Sequence, residues 1–111
     1  DAAWAPHGGE SRIDVADRSV PLVADLIAAE PDWGSGDADR PVVLVAHGGL
    51  IAALTAALLA LPVDSWPVLG GMGNASWAQL SGYGATGAVF ADLRWRLDVW
   101  NASAQVANDV L

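Results

Sequence analysis

An α/β fold is predicted on three observations. A β-branched apolar run, Val42 to Ala46, stands between two segments of helical character. Near the end, Trp95, Leu97 and Val99 alternate with Arg94, Arg96 and Asp98, the pattern of a half-buried strand. The stretches between these segments are rich in Gly and Pro. Helix, strand and helix followed by a hairpin fit an α/β sandwich, here an incomplete one.

Each element has its own signal. Residues 1–10, DAAWAPHGGE, read as loop. Ser11 opens a helix, with Ser11 and Asp14 at capping-box spacing. Ile13, Val15, Val20, Leu22, Val23, Leu26 and Ile27 fall mostly on one helical face. Pro21 lies inside that pattern and is expected to kink or restart the helix. Glu30-Pro31 ends it. Residues 31–41 read as a polar, Gly-rich surface loop. Val42 to Ala46 reads as a buried parallel strand. His47-Gly48-Gly49 then turns the chain into a helix from Leu50 to Leu61, stopped by Pro62. Residues 63–73 form a loop. Trp77–Leu80 and Leu93–Val99 read as the two strands of a hairpin, and residues 102–111 as a short terminal helix. Residues 41–63 carry no formal charge and are long enough to span a bilayer. The His-Gly-Gly interruption and the clustering of β-branched residues before it favour a buried strand feeding a buried helix instead.

Composition narrows the function. A chain of 111 residues holds one domain, and 53% apolar residues promise a hydrophobic core. Thirteen acids against five arginines and no lysine give a net charge of −8. Such a surface repels nucleic acid and anionic lipid. The absence of cysteine excludes a disulfide framework, a thiol nucleophile and a thiolate metal site. The chain begins at Asp1 and its single methionine is Met72, so the expected chain continues upstream of Asp1. No secretory signal is visible at its start.

His47 is the leading candidate for chemistry. It stands at the carboxyl end of the expected strand, where open α/β sheets place their ligands. The helix that follows would leave the amides of Gly49, Leu50 and Ile51 unpaired beside a partial positive charge. Paired glycines let a ligand approach the backbone closely. An imidazole beside that helix start suits a phosphoryl group. The plainer alternative is a histidine that only ends a strand. A lipase-type reading of His-Gly-Gly fails because no G-x-S-x-G elbow exists.

Other candidates are weaker. Glu10 is either an acid/base or, more simply, a favourable partner of a helix start. His7 reads as a surface loop residue. Gly70-Gly71-Met72-Gly73 lacks the rest of a dinucleotide fingerprint. Asp37 and Asp39 lack the spacing of a calcium loop. Asn74 and Asn101 head glycosylation sequons that match by chance. Trp66 is a core or loop anchor, or else lines a pocket.

Several of these motifs occur together in one family. Gly8-Gly9-Glu10-Ser11 at the head of a helix, Arg18 within it, Val43-Leu44-Val45-Ala46-His47-Gly48-Gly49 and the late Trp100-Asn101 resemble the second half of the histidine phosphatase superfamily, which includes phosphoglycerate mutases. Residues 41–63, 70–82 and 94–111 carry the similarity through nearly the whole chain, toward a member that dephosphorylates a small sugar acid.

The resemblance implies a three-layer α/β/α sandwich of the phosphoglycerate mutase-like type. Residues 1–111 would be its carboxyl-terminal half. It implies a phosphatase working through a phosphohistidine intermediate on a phosphomonoester of a small sugar acid. His47 would be the second, charge-stabilising histidine, and His47, Gly48 and Gly49 would bind the phosphoryl group. It implies a reaction without metal or cofactor. A cytoplasmic setting is expected, with no nucleic acid or membrane partner given the acidic surface, and a homodimer is expected because a half-domain exposes a sheet edge and core face. Two alternatives remain: a mutase-type phosphotransferase, or a catalytically incomplete fragment that binds an anion or a partner. The departures are specific. No Arg-His-Gly motif is present, and His7 follows Pro6. The family's catalytic Glu lies upstream of the Gly-Gly-Glu-Ser loop, so Glu10 is not its match. The 111 residues alone are therefore expected to be inactive.

Overall fold

The computed structural model describes residues 1–30, 41–85 and 87–104. Two helices and a two-stranded antiparallel sheet organise them: α1 (Arg12–Ala29), α2 (Gly48–Leu58), β1 (Ser76–Tyr83) and β2 (Arg94–Ser103), with 3₁₀ turns at Val63–Val68 and Phe90–Asp92. The α/β class is as expected.

The start of α1 follows its sequence signal. The Asp14 amide donates to Ser11 Oγ at 3.1 Å, and the Ser11 amide donates back to Asp14 Oδ2 at 3.0 Å, completing the capping box. The Ile13 amide finds the Ala2 carbonyl at 3.1 Å, which ties the leading loop to the helix. Pro21 neither stops nor restarts the helix. Its missing N–H releases the Asp17 carbonyl one turn back, and both residues are exposed, so water can take that acceptor. The helix ends at Ala29 with Glu30 as its C-cap.

Ala16, Ser19 and Val23 form the buried stripe of α1, spaced three and four residues apart. Ser19 satisfies its buried hydroxyl by donating to the Val15 carbonyl at 2.7 Å. This stripe of small side chains packs against α2, whose Ala53, Leu54, Thr55 and Ala56 are buried. The core between them is built mostly of small side chains, and among the described residues no large side chain is completely enclosed.

α2 begins two residues earlier than the sequence suggests and ends three earlier, at Leu58. Its end is a Schellman closure. The Leu61 amide donates to the Ala56 carbonyl at 3.1 Å and the Ala60 amide to the Ala57 carbonyl at 3.0 Å. Ala60 holds the left-handed position usually given to glycine, with φ 54°. Pro62 follows, and the Trp66 indole donates to the Leu61 carbonyl at 3.0 Å, fixing the exit from the helix.

The expected buried strand is not formed. Val42 to Ala46 belongs to no ladder, and the sheet of the described residues contains only β1 and β2. Val43 is 76% exposed and Val45 96%. The physical reason is pairing: a strand exists only where another backbone accepts its hydrogen bonds, and none of the described residues does.

The hairpin is longer than expected at both strands. β1 pairs with β2 from Ser76↔Ser103 to Tyr83↔Arg94, with two register shifts near Gln79. The expected alternation holds: Trp95, Leu97 and Val99 are half-buried, and Arg94, Arg96 and Asp98 are exposed. Trp95 lies over its cross-strand partner Gly82, 3.2 Å from where a Cβ would stand. Arg96 sits 5.2 Å from the Tyr83 ring centre. Residues 102 and 103 are strand rather than terminal helix, because the ladder reaches Ser103. The rest of that expected helix, from residue 105 on, lies outside the described residues, as does the loop over residues 31–40 with Asp37 and Asp39.

The accessible area is 7866 Å². A compact monomer of this mass exposes about 5,800 Å². Among the described residues no helix is long and apolar enough to cross a membrane.

Candidate functional site

The candidate site is built on the first turn of α2. His47 is its N-cap, in extended conformation (φ −104°, ψ 158°), and its side chain makes no capping hydrogen bond. The imidazole-bearing residue is exposed. The first helical bond runs from the Ile51 amide to the His47 carbonyl at 3.0 Å. Ile51 is thus a donor within the helix, unlike the sequence expectation. The amides without an intrahelical acceptor are those of Gly48, Gly49 and Leu50.

Three further groups surround this turn. A Cβ on Gly48 would stand 3.4 Å from Met72 Cβ and 3.6 Å from the Met72 carbonyl oxygen. The Gly70–Gly73 loop therefore runs against one side of the helix start. That loop is anchored from β2: the Gly73 amide donates to Asn101 Oδ1 at 2.8 Å. On the other glycine, a Cβ would fall on Arg12 Nη1, with Cζ 2.9 Å and Nη2 3.2 Å away. The Arg12 guanidinium, from the first residue of α1, occupies the space a side chain at position 49 would need.

The two helix starts differ. At α1, Ser11 and Ala2 satisfy the leading amides, and Asp14 supplies negative charge. At α2, no acid stands in the first turn and no side chain caps it. Glu10 is drawn away from any acid/base role. Its carboxylate accepts from Arg18 Nε at 2.8 and 3.1 Å, and that bond, with the attraction between the charges, holds the Arg18 pKa above its usual value. His7 is an exposed loop residue, as expected. Trp66 serves the exit of α2 through its indole bond.

The structure thus joins His47, Gly48 and Gly49 in one turn and adds Arg12, Met72 and Asn101 to it. Free amides, an imidazole and a guanidinium can together hold an anion with several acceptor oxygens. Arg12 was visible in sequence only as one residue of a helix start. Gly49 held the signal, because a glycine in the first turn of a helix implies a close neighbour. Gly70–Gly73 is a loop wall, not a nucleotide fingerprint.

Comparison with known proteins gives a consistent answer. The profile of the histidine phosphatase superfamily (branch 1) matches residues 1–102. The glucosyl-3-phosphoglycerate phosphatase of Mycolicibacterium vanbaalenii is 76% identical over the whole chain, which covers 51% of that protein. The enzyme of the same name from Mycobacterium tuberculosis is 75% identical, again over all of this chain and 50% of its own length. A solved structure of a mycobacterial glucosyl-3-phosphoglycerate phosphatase with inorganic phosphate superposes with a TM-score of 0.85 at 74% identity, covering 95% of this chain and 49% of that one. The chain spans about half the length of the curated relatives it matches.

Proposed function

The chain belongs to the histidine phosphatase superfamily, and from that membership we propose that it supplies the second-histidine half of a phosphatase acting on glucosyl-3-phosphoglycerate. Residues 1–111 are, on this proposal, the carboxyl-terminal half of one phosphatase domain. One observation carries the assignment. His47 caps α2 in extended conformation, and the Gly48, Gly49 and Leu50 amides lack acceptors inside the helix. The similarity to two glucosyl-3-phosphoglycerate phosphatases supports this choice of substrate.

In the proposed reaction, a histidine of an upstream Arg-His-Gly motif attacks phosphorus. The phosphorus–oxygen bond to the sugar acid breaks as the new phosphorus–nitrogen bond forms. An upstream glutamic acid donates its proton to the leaving alkoxide. Water then attacks the phosphohistidine and releases phosphate. His47 and the α2 amides hold the non-bridging oxygens and offset the charge that builds on them in the transition state. The proposed enzyme works in the cytoplasm as a homodimer, with neither metal nor organic cofactor.

The other reading, an anion-binding fragment without turnover, is supported by the absence of Arg-His-Gly from the 111 residues. Release of inorganic phosphate from glucosyl-3-phosphoglycerate separates the two. The intact polypeptide is expected to turn over, and His47→Ala to slow it by about a hundredfold or more. An unchanged rate in that variant would leave His47 a purely structural role.

A further inference from the structure

We propose that Asn101 is a positioning residue: it fixes the Gly70–Gly73 loop against the His47-Gly48 turn and so shapes the room left for the sugar-acid part of the substrate. This deepens the phosphatase reading and rests on it. Asn101 acts on the substrate only through Gly73 and Met72. Its basis is a clamp on one glycine. The Gly73 amide donates to Asn101 Oδ1 at 2.8 Å, and the Gly73 carbonyl accepts from Ser76 Oγ at 2.5 Å. Both polar groups of one loop residue are thus taken by side chains, one from each strand of the hairpin. The preceding residue, Met72, is the one that meets α2: its Cβ lies 3.4 Å from where a Cβ on Gly48 would stand. At the other end of the loop the restraint stops. Gly70 and Gly71 are exposed, and a Cβ on either would meet no described atom within 4 Å.

The ladder is distorted in a way that serves this clamp. Trp77 pairs with Ala102 and Gln79 with Val99, so Trp100 and Asn101 together oppose Ala78. Such a β-bulge bends its strand and re-aims a side chain, and bulges are frequent beside active sites. Within it Asn101 takes the left-handed conformation, φ 55°. Asparagine bears that conformation better than most residues, because its short polar side chain can find a hydrogen bond nearby. Ala75, next to Ser76 on the other side of the clamp, is left-handed as well, φ 55°. Strain of this kind persists only where surrounding contacts over-determine it, and it gathers at functional sites. Both bonds to Gly73 are exposed, so each contributes modestly to stability. Their larger effect is to fix where Met72 stands.

The test uses the intact polypeptide, with glucosyl-3-phosphoglycerate as substrate and inorganic phosphate as a competing ligand. Asn101→Gly keeps the left-handed backbone available and removes the acceptor. It is expected to raise KM about three- to tenfold, the scale of one lost hydrogen bond. The expected change in kcat is below about twofold, the mark of lost uniform binding, and the inhibition constant of phosphate stays as in the wild type. Asn101→Asp retains an acceptor oxygen and tolerates the same backbone, and is expected to restore most of the affinity. Ser76→Ala leaves the bulge untouched and is expected to raise KM similarly; it carries the test if Asn101→Gly does not fold. The double variant is expected to lose less than the two single losses combined, since both ties hold one glycine. A purely structural role would lower the thermal midpoint and leave the ratio of KM to the phosphate inhibition constant unchanged. That result in an active variant would overturn the positioning role alone, as would equal KM values for the glycine and aspartate variants. A wild-type protein that releases no phosphate from glucosyl-3-phosphoglycerate would overturn the substrate reading, and the positioning role with it.

Discussion

Asn101 reaches from β2 to the loop beside α2: its Oδ1 accepts the Gly73 amide at 2.8 Å. It does so from a left-handed backbone, φ 55°, near a register shift of the hairpin. One residue thus links the sheet to the wall of the candidate site. Asn101→Gly keeps that backbone conformation available and removes only the acceptor. The Gly73 amide is expected to lose protection against hydrogen exchange in this variant, while amides in the middle of β1 keep theirs. Equal protection in both proteins would show that the loop is held by other contacts.

Ala60 ends α2 in a conformation that L-residues adopt at a cost. Ala60→Gly removes the Cβ strain and gives back part of the gain through a more flexible unfolded chain. The net expectation is a stabilisation of about 0.5–1 kcal/mol, read as a higher urea midpoint. A lower midpoint would contradict the strain assigned to this Schellman closure.

Two carboxylates make stability depend on acid. The backbone and side-chain hydrogen bonds to Ser11 lower the Asp14 pKa from its ordinary value of 3.8. The hydrogen bonds from Ser81 and Arg96 lower that of Asp98. A lowered folded-state pKa means that the unfolded chain binds protons first as the pH falls. The stabilisation is therefore complete above the ordinary carboxylate value. It is lost as pH falls through the lower folded-state values. Urea midpoints measured from neutral pH down are expected to fall more steeply in the wild type than in Asp14→Ala or Asp98→Ala. Parallel curves would refute the contribution of both groups.

Val45 is 96% exposed in a segment whose composition suits a sheet interior. In the 111-residue chain alone, Val45→Lys is expected to change stability by less than about 0.5 kcal/mol. In the intact polypeptide it is expected to destabilise by about 2 kcal/mol or more, because the lysine would then be buried in a paired strand. Equal effects in the two chains would mean that no upstream strand covers this segment.

Local features were legible in the sequence where local chemistry decides them. The Ser11–Asp14 capping box, the His47 helix entry and the alternation along β2 each depend on neighbours within a few residues. The start of α2 lies two residues before its sequence signal: Gly48 and Gly49 read as turn, yet they form its first turn, beside Met72 and Arg12. Val42 to Ala46 departs from its sequence signal for the opposite reason. Its composition describes the environment it suits, and the described residues do not provide that environment. Arg12 and Asn101 were missed as site residues because both arrive through tertiary contact. The Asn101–Gly73 bond closes a separation of 28 residues that no periodicity marks.

The unpaired segment ends one residue before His47. Whatever backbone pairs with Val42–Val45 restrains the entry to α2, and so restrains the open amides of its first turn. Assembly and anion binding are then linked equilibria. If the proposed site holds a phosphoryl group at Gly48 and Gly49, that group would tighten the hold on a pairing strand by the same factor that the strand tightens the hold on phosphate. On the proposed function, substrate would act in this way as a cohesive element of the fold, favouring the paired form of Val42–Val45 whenever it is bound.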